Sequence, residues 1–148
     1  RRQAGLWVVL PPPPELPALM IERHGSGGPW EPVVGYSRVV KAGPIVEVAG
    51  CTAVDAEGHI IGGTSVYEQS RQALANVLAA LATVGATPEH VTRTRLFITD
   101  ISRWRDLGRA HGEVFGDIRP VTAMYEIGAL LDPRMLVEIE ATAYLPDS

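Results

Sequence analysis

The sequence predicts an α+β domain, a mixed β-sheet with two helices packed on one face. The first observation is the run Met135–Tyr144, which alternates. Met135, Val137, Ile139, Ala141 and Ala143 point one way, and Leu136, Glu138, Glu140, Thr142 and Tyr144 the other, because side chains alternate across a strand. The second is a pair of helical stripes, each closed by a glycine. The third is the order strand, strand, helix, strand, helix, strand, strand, which gathers the helices on one side of a sheet. Two helices cover one face only. The other carries Glu138 and Glu140, roughly 7 Å apart along the strand at about 3.4 Å per residue. Carboxylates there need water, a cation or a chemical role, and an oligomer that closes over this face is expected.

In chain order, residues 1–19 differ from the rest: two arginines, a short apolar run and four consecutive prolines. They are expected to be a non-native or extra N-terminal segment, with Met20 as the natural start and 20–148 as the domain. Residues 20–35 are rich in Gly and Pro and read as an irregular approach. Tyr36–Lys41 and Ile45–Ala49 are β-prone runs around Ala42-Gly43-Pro44, a hairpin signal. A turn at Asp55–Gly58 precedes a short candidate strand at His59–Ile61.

Ser65 with Glu68 three residues on is the signature of a capping box. Leu74, Val77, Leu78, Leu81 and Val84 then form an apolar stripe that Gly85 ends. Val91–Thr99 is a strand. Asp100 or Ser102 caps a second helix, whose inner side is expected to hold Ile101, Trp104, Leu107, His111, Val114 and Phe115, with Gly116 closing it. His111 is read as a packed, hydrogen-bonded histidine. Arg119–Tyr144 supplies two further strands joined by a loop with Gly128, Asp132 and Pro133. Within TRTRLFIT, Leu96 and Ile98 suit the helix-covered side, so Arg93, Arg95 and Phe97 fall on the glutamate face.

The 148 residues are 46% hydrophobic and 20% charged, the composition of one soluble globular domain. A net charge of −4 without a basic patch argues against a nucleic-acid surface. The longest apolar runs fall short of a membrane span. A single cysteine, Cys51, forbids an intrachain disulfide and fits a reducing, cytoplasmic setting. The four histidines are scattered, so no metal site is expected, and no cofactor either.

From Gly35 to Tyr144 the chain resembles the YjgF/RidA (Rid) superfamily, the L-PSP endoribonuclease-like proteins. The pieces that carry the likeness are GYSRVVKAG, VEVAG, QSRQALANVLAALATVGA, VTRTRLFITDISRW, Pro120 and VEIEATA. The resemblance implies a chorismate-mutase-like fold and a homotrimer whose sheets form a central barrel, with small-molecule clefts between subunits. In the deaminating branch, water attacks a 2-imino acid to give a 2-keto acid and ammonia. An arginine two residues after a proline grips the substrate carboxylate. Here that position is Thr122, so the chain resembles the branches that lack this arginine. Glu138 matches the glutamate that holds the attacking water, and Tyr36 the tyrosine near the start. Gly50 matches the glycine after the second strand, Ala49 replaces a common serine before it, and Met124 matches a site-facing position often held by cysteine.

The candidate set is therefore Glu138 and Tyr36 as catalytic groups, with Gly50, Cys51, Thr122, Met124, Arg95 and Phe97 as substrate-binding groups. Cys51 is read as an inert small residue beside the cleft. Arg95 either neutralises the two glutamates or adds a cation to the cleft. Three functions stay open: hydrolysis of a small imine or enamine, binding of a small metabolite without turnover, and ribonuclease activity. The acidic balance and the lack of paired histidines weigh against the third.

Overall fold

The computed structural model describes residues 11, 12 and 20–146. The reading of residues 1–19 as an extra segment lies almost wholly outside them. Six strands, β1 (Ile21–His24), β2 (Val39–Ala42), β3 (Ile45–Cys51), β4 (Val91–Ile98), β5 (Val121–Glu126) and β6 (Val137–Tyr144), form one open sheet in the order β1-β2-β3-β6-β4-β5. Only β4 and β5 run parallel; the other neighbours are antiparallel. Helices α1 (Val66–Thr83) and α2 (Trp104–Phe115) pack against one another and share one core with the sheet. Among the described residues no helix is long and apolar enough to cross a membrane.

The alternation in β6 holds along its length. Val137, Ile139, Ala141 and Ala143 are buried, while Glu138, Glu140 and Thr142 are half-buried and Tyr144 is exposed. The buried set meets Val46 and Val48 of β3, Leu96 and Ile98 of β4, Leu74, Val77 and Leu81 of α1, and Leu107 and Phe115 of α2. Each large apolar side chain so buried is worth about 1.5–3 kcal/mol. The opposite face exposes Ile45, Val121, Tyr125 and Tyr144, which no element among the described residues covers.

Ser65 caps α1 as expected, its hydroxyl accepting the Glu68 amide at 3.1 Å. The capping box is only half made, because the Ser65 amide donates instead to the Gly62 carbonyl at 2.9 Å. Gly85, at φ 82°, takes the left-handed turn that ends the helix. Gln69, absent from the apolar stripe, is completely buried. Its amide donates to the carbonyls of Gly63 and Arg134 and accepts from the Leu136 amide. All its hydrogen-bonding atoms are thus engaged, and they fix the entry to β6 two residues before Glu138.

Four local expectations need correction. Residues 21–24 form the edge strand β1, paired with β2. IERH has no alternation to announce it, since an edge strand carrying two charges buries almost nothing. Glu31–Gly35 makes a single π turn. The strand expected at His59–Ile61 is reduced to one bridge, Val54 to Ile60. Ile101 and Trp104 are exposed, not core. They precede or open α2, where Asp100 accepts from the Ser102 amide and a short 3₁₀ turn offsets the helical register. His111 is the packed histidine expected. Its Nε2 lies 2.8 Å from the Thr94 hydroxyl and its ring packs tilted against Phe115, with centroids 4.8 Å apart.

Candidate functional site

Glu138 stands on the uncovered sheet face, in the strand between β3 and β4. The register of β3 against β6 shifts between Val48 and Cys51, a bulge that changes the local aim of the strand. Gly50 sits inside it. A Cβ at this position would lie 2.6 Å from the Glu138 Cδ and Oε1, closer than real side chains approach. Glycine permits this close approach: its missing Cβ is the space the carboxylate occupies.

Around this contact opens a cavity of about 730 Å³. Tyr36, Arg38, Gly50, Cys51 and Glu138 line one part of it, and Trp30, Leu130, Leu131 and Met135 give it apolar walls. The Gly25–Trp30 loop forms another side. That loop is wrapped on the buried Glu31 carboxylate, which accepts from the amides of Ser26 and Gly28 and from the Ser26 hydroxyl. Burial alone would raise the Glu31 carboxyl, but these donors outweigh it and hold the group below the usual range.

Glu138 shows the opposite balance. Burial, then the neighbouring Glu140 carboxylate, push its carboxyl above the usual range, while Arg38 pulls it back. A carboxyl raised in this way takes a proton more readily than a free one, the property a general base uses. Cys51 is buried and its thiol is pushed up by that burial despite Arg38, which favours the protonated thiol over the nucleophilic thiolate.

The candidates divide by place. Tyr36, Gly50, Cys51 and Glu138 come together at the cavity. Phe97 and Arg95 lie on the same sheet face, but the register sets Phe97 opposite Glu138 and Arg95 opposite Glu140, and neither lines the cavity. Phe97 stacks instead on Tyr125, with ring centroids 5.8 Å apart. Thr122 and Met124 are on the far side. Parallel pairing aligns Thr122 with the buried Thr94 and Met124 with the buried Leu96, so both face the helix side of the sheet. The Thr122 hydroxyl is 2.8 Å from that of Thr94 and donates to the Pro120 carbonyl. Within one chain, Thr122 and Glu138 are separated by the sheet.

Sequence reasoning missed Arg38. Its Nη1 donates to the carbonyl of Gly50 at 2.6 Å and to that of Ala49 at 3.3 Å, beside the Cys51 sulfur at 3.5 Å. Its Nη2 reaches the Tyr36 hydroxyl at 3.4 Å, and the guanidinium carbon is 5.6 Å from the Tyr36 ring centroid. A signal existed: Tyr36 and Arg38 are two apart, so in an extended segment they share a side. None of the four histidines lines the cavity. Asp55, Glu57 and His59 gather on a turn at its rim, where Asp55 accepts the amides of Glu57 and His59.

Solved structures share this architecture. A member of the YjgF/YER057c/UK114 family from Mycobacterium tuberculosis is 47% identical, with a TM-score of 0.78, over 85% of this chain and 100% of that one. An uncharacterised protein of Streptomyces coelicolor is 38% identical over 84% of this chain and 92% of its own length. A RutC family protein of Pyrococcus abyssi is 30% identical over 77% and 89%. The profile of the family described as Endoribonuclease L-PSP matches residues 29–145, and with the strand order, the Glu138–Gly50 contact and these relatives in hand, the chain belongs to that family, the YjgF/Rid superfamily.

Proposed function

We propose that the cavity hydrolyses the C=N bond of a small imine or enamine, using a water held by Glu138. The observation that carries this reading is the Glu138 carboxylate seated against Gly50 in the cavity wall, with a carboxyl raised chiefly by burial. Water attacks the C=N carbon and its proton passes to Glu138. Glu138 returns that proton to nitrogen, giving a carbinolamine. The carbinolamine hydroxyl then gives up its proton, relayed by Glu138 to the same nitrogen, as C=O forms and the C–N bond breaks, so ammonia and a carbonyl compound leave. No step needs a cofactor. Tyr36 borders the same space and orients the substrate.

The active form is proposed to be a homotrimer with clefts between subunits. The uncovered sheet face supports it, since Ile45, Val121, Tyr125 and Tyr144 are exposed there together and gain by burial against copies of the same face. Light scattering at micromolar concentration should return three times the chain mass; a stable monomer would remove the assembly and any cleft between subunits.

Thr122 alters the substrate. Replacing a charged donor by a hydroxyl forfeits roughly 1.5–3 kcal/mol of hold on a carboxylate. That corresponds to about a tenfold to hundredfold weaker grip. The reading is tested by ammonia release from freshly generated 2-iminopropionate. Release above the uncatalysed rate is expected from the native chain, and Thr122→Arg should raise it by about tenfold or more. Because Thr122 lies across the sheet from its own Glu138, the gain should appear only in the trimer, where residue 122 can serve a neighbouring cleft. Background rates from both proteins would favour a second reading, a binding trimer without turnover.

A further inference from the structure

We propose that Arg38 is the anion-positioning residue of this cavity, and that the ligand it selects is a small carboxylate with an apolar body. The inference rests on the reading of the Glu138 cavity as a ligand site, and it locates the cation that Thr122 does not supply.

The geometry of the guanidinium carries the argument. It has two flat edges that can present paired N–H groups. Nη1 is committed to protein, donating to the Gly50 and Ala49 carbonyls at the register shift between Val48 and Cys51. The other edge is formed by Nε and Nη2. Among the described residues Nε donates to no protein atom, and the Nη2 bond to the Tyr36 hydroxyl is long at 3.4 Å. This edge is the one Arg134 uses in the same molecule to hold Asp132, through Nε at 3.0 Å and Nη2 at 2.7 Å. Arg38 is thus fixed by one edge and keeps a two-pronged edge for an anion.

The surroundings narrow the ligand. Among the described residues Arg38 is the only lysine or arginine that lines the cavity, against the acidic groups Asp55 and Glu138. Trp30, Leu130, Leu131 and Met135 supply apolar walls. A ligand with one carboxylate and an apolar remainder satisfies both halves, whereas a dianion would meet the two acidic groups. Arg95, across from Glu140 and away from the cavity, cannot serve this role within the chain. Burial keeps the Glu138 carboxyl raised, which lessens its repulsion of the incoming anion.

The competing role is a brace that only satisfies the bulge carbonyls, and three proteins separate the two. The native chain, Arg38→Lys and Arg38→Gln are titrated calorimetrically with 2-oxobutanoate and with its uncharged amide. Gln keeps an N–H donor for the carbonyls and loses the charge; Lys keeps the charge. The native chain should bind the acid at least about tenfold tighter than the amide, as expected for a charge-assisted contact. Arg38→Gln should lose that preference, Arg38→Lys should keep most of it, and amide affinity should be the same in all three. The proposal is overturned if the native chain has no preference, if Arg38→Gln retains it, or if acid and amide affinities fall together in both variants with the melting temperature. Acid preference without ammonia release would leave Arg38 in place and remove hydrolysis; ammonia release without acid preference would do the reverse.

Discussion

Glu138→Gln is expected to abolish turnover of a C=N substrate, by about a hundredfold to ten-thousandfold, the usual worth of a positioned general base. The amide has nearly the same shape but cannot take a proton from water. Activity of the native chain should rise with pH through the raised Glu138 value, because the ionised form is the base. The same substitution should stabilise the fold at neutral pH. A carboxyl whose folded value lies above its unfolded value binds a proton in the folded state that the unfolded chain has released. Stability from this group is then present at low pH and is lost as pH rises through the folded value. Gln carries no such loss, so its advantage in melting temperature over the native chain should be larger at pH 8 than at pH 5. Equal melting at both values would mean that burial of Glu138 is fully compensated in the assembly.

Gly50→Ala should disable the site while leaving the fold. The new Cβ would stand 2.6 Å from the Glu138 Cδ and Oε1 and 2.9 Å from its Cγ. What it meets is the end of a rotatable side chain, so the carboxylate moves before the backbone does. Overpacking of this sort typically costs about 1–3 kcal/mol in stability, and a rotatable carboxylate keeps it near the low end. A displacement near 1 Å of a catalytic group costs roughly a hundredfold in rate. Turnover should therefore fall about as that displacement requires, with only a small shift in the denaturation midpoint. The double variant Gly50→Ala with Glu138→Gln gives the decisive comparison: once the carboxylate is gone, the added methyl should cost no further activity. A second, independent loss would show that Gly50 acts through the backbone, not through Glu138.

Much of the fold was legible because its main elements declare themselves by periodicity. The strand with Glu138 buries every second residue, so its two faces could be assigned from the order of side chains alone. The stripe Leu74, Val77, Leu81 and the terminal Gly85 identified α1 in the same way. The face of Arg95 and Phe97 followed from Leu96 and Ile98 claiming the core. Strand β1 escaped because it buries almost nothing, and Trp104 was assigned inward because a 3₁₀ turn shifted the helical phase before it.

What the sequence could determine by itself was therefore the main helices and strands, the side each residue takes along β4 and β6, and the presence of a glutamate with no partner on its own strand. Only the tertiary structure decided which residues from different elements meet that glutamate. Pairing β5 parallel to β4 sent Thr122 to the helix side beside Thr94 and His111. The antiparallel register of β4 and β6 gave Arg95 to Glu140. The bulge in β3 brought Gly50 onto Glu138 and two carbonyls within reach of Arg38. Alternation fixes a face from neighbours two residues apart, but a site depends on strand order and register, and those are set by contacts far apart in the chain.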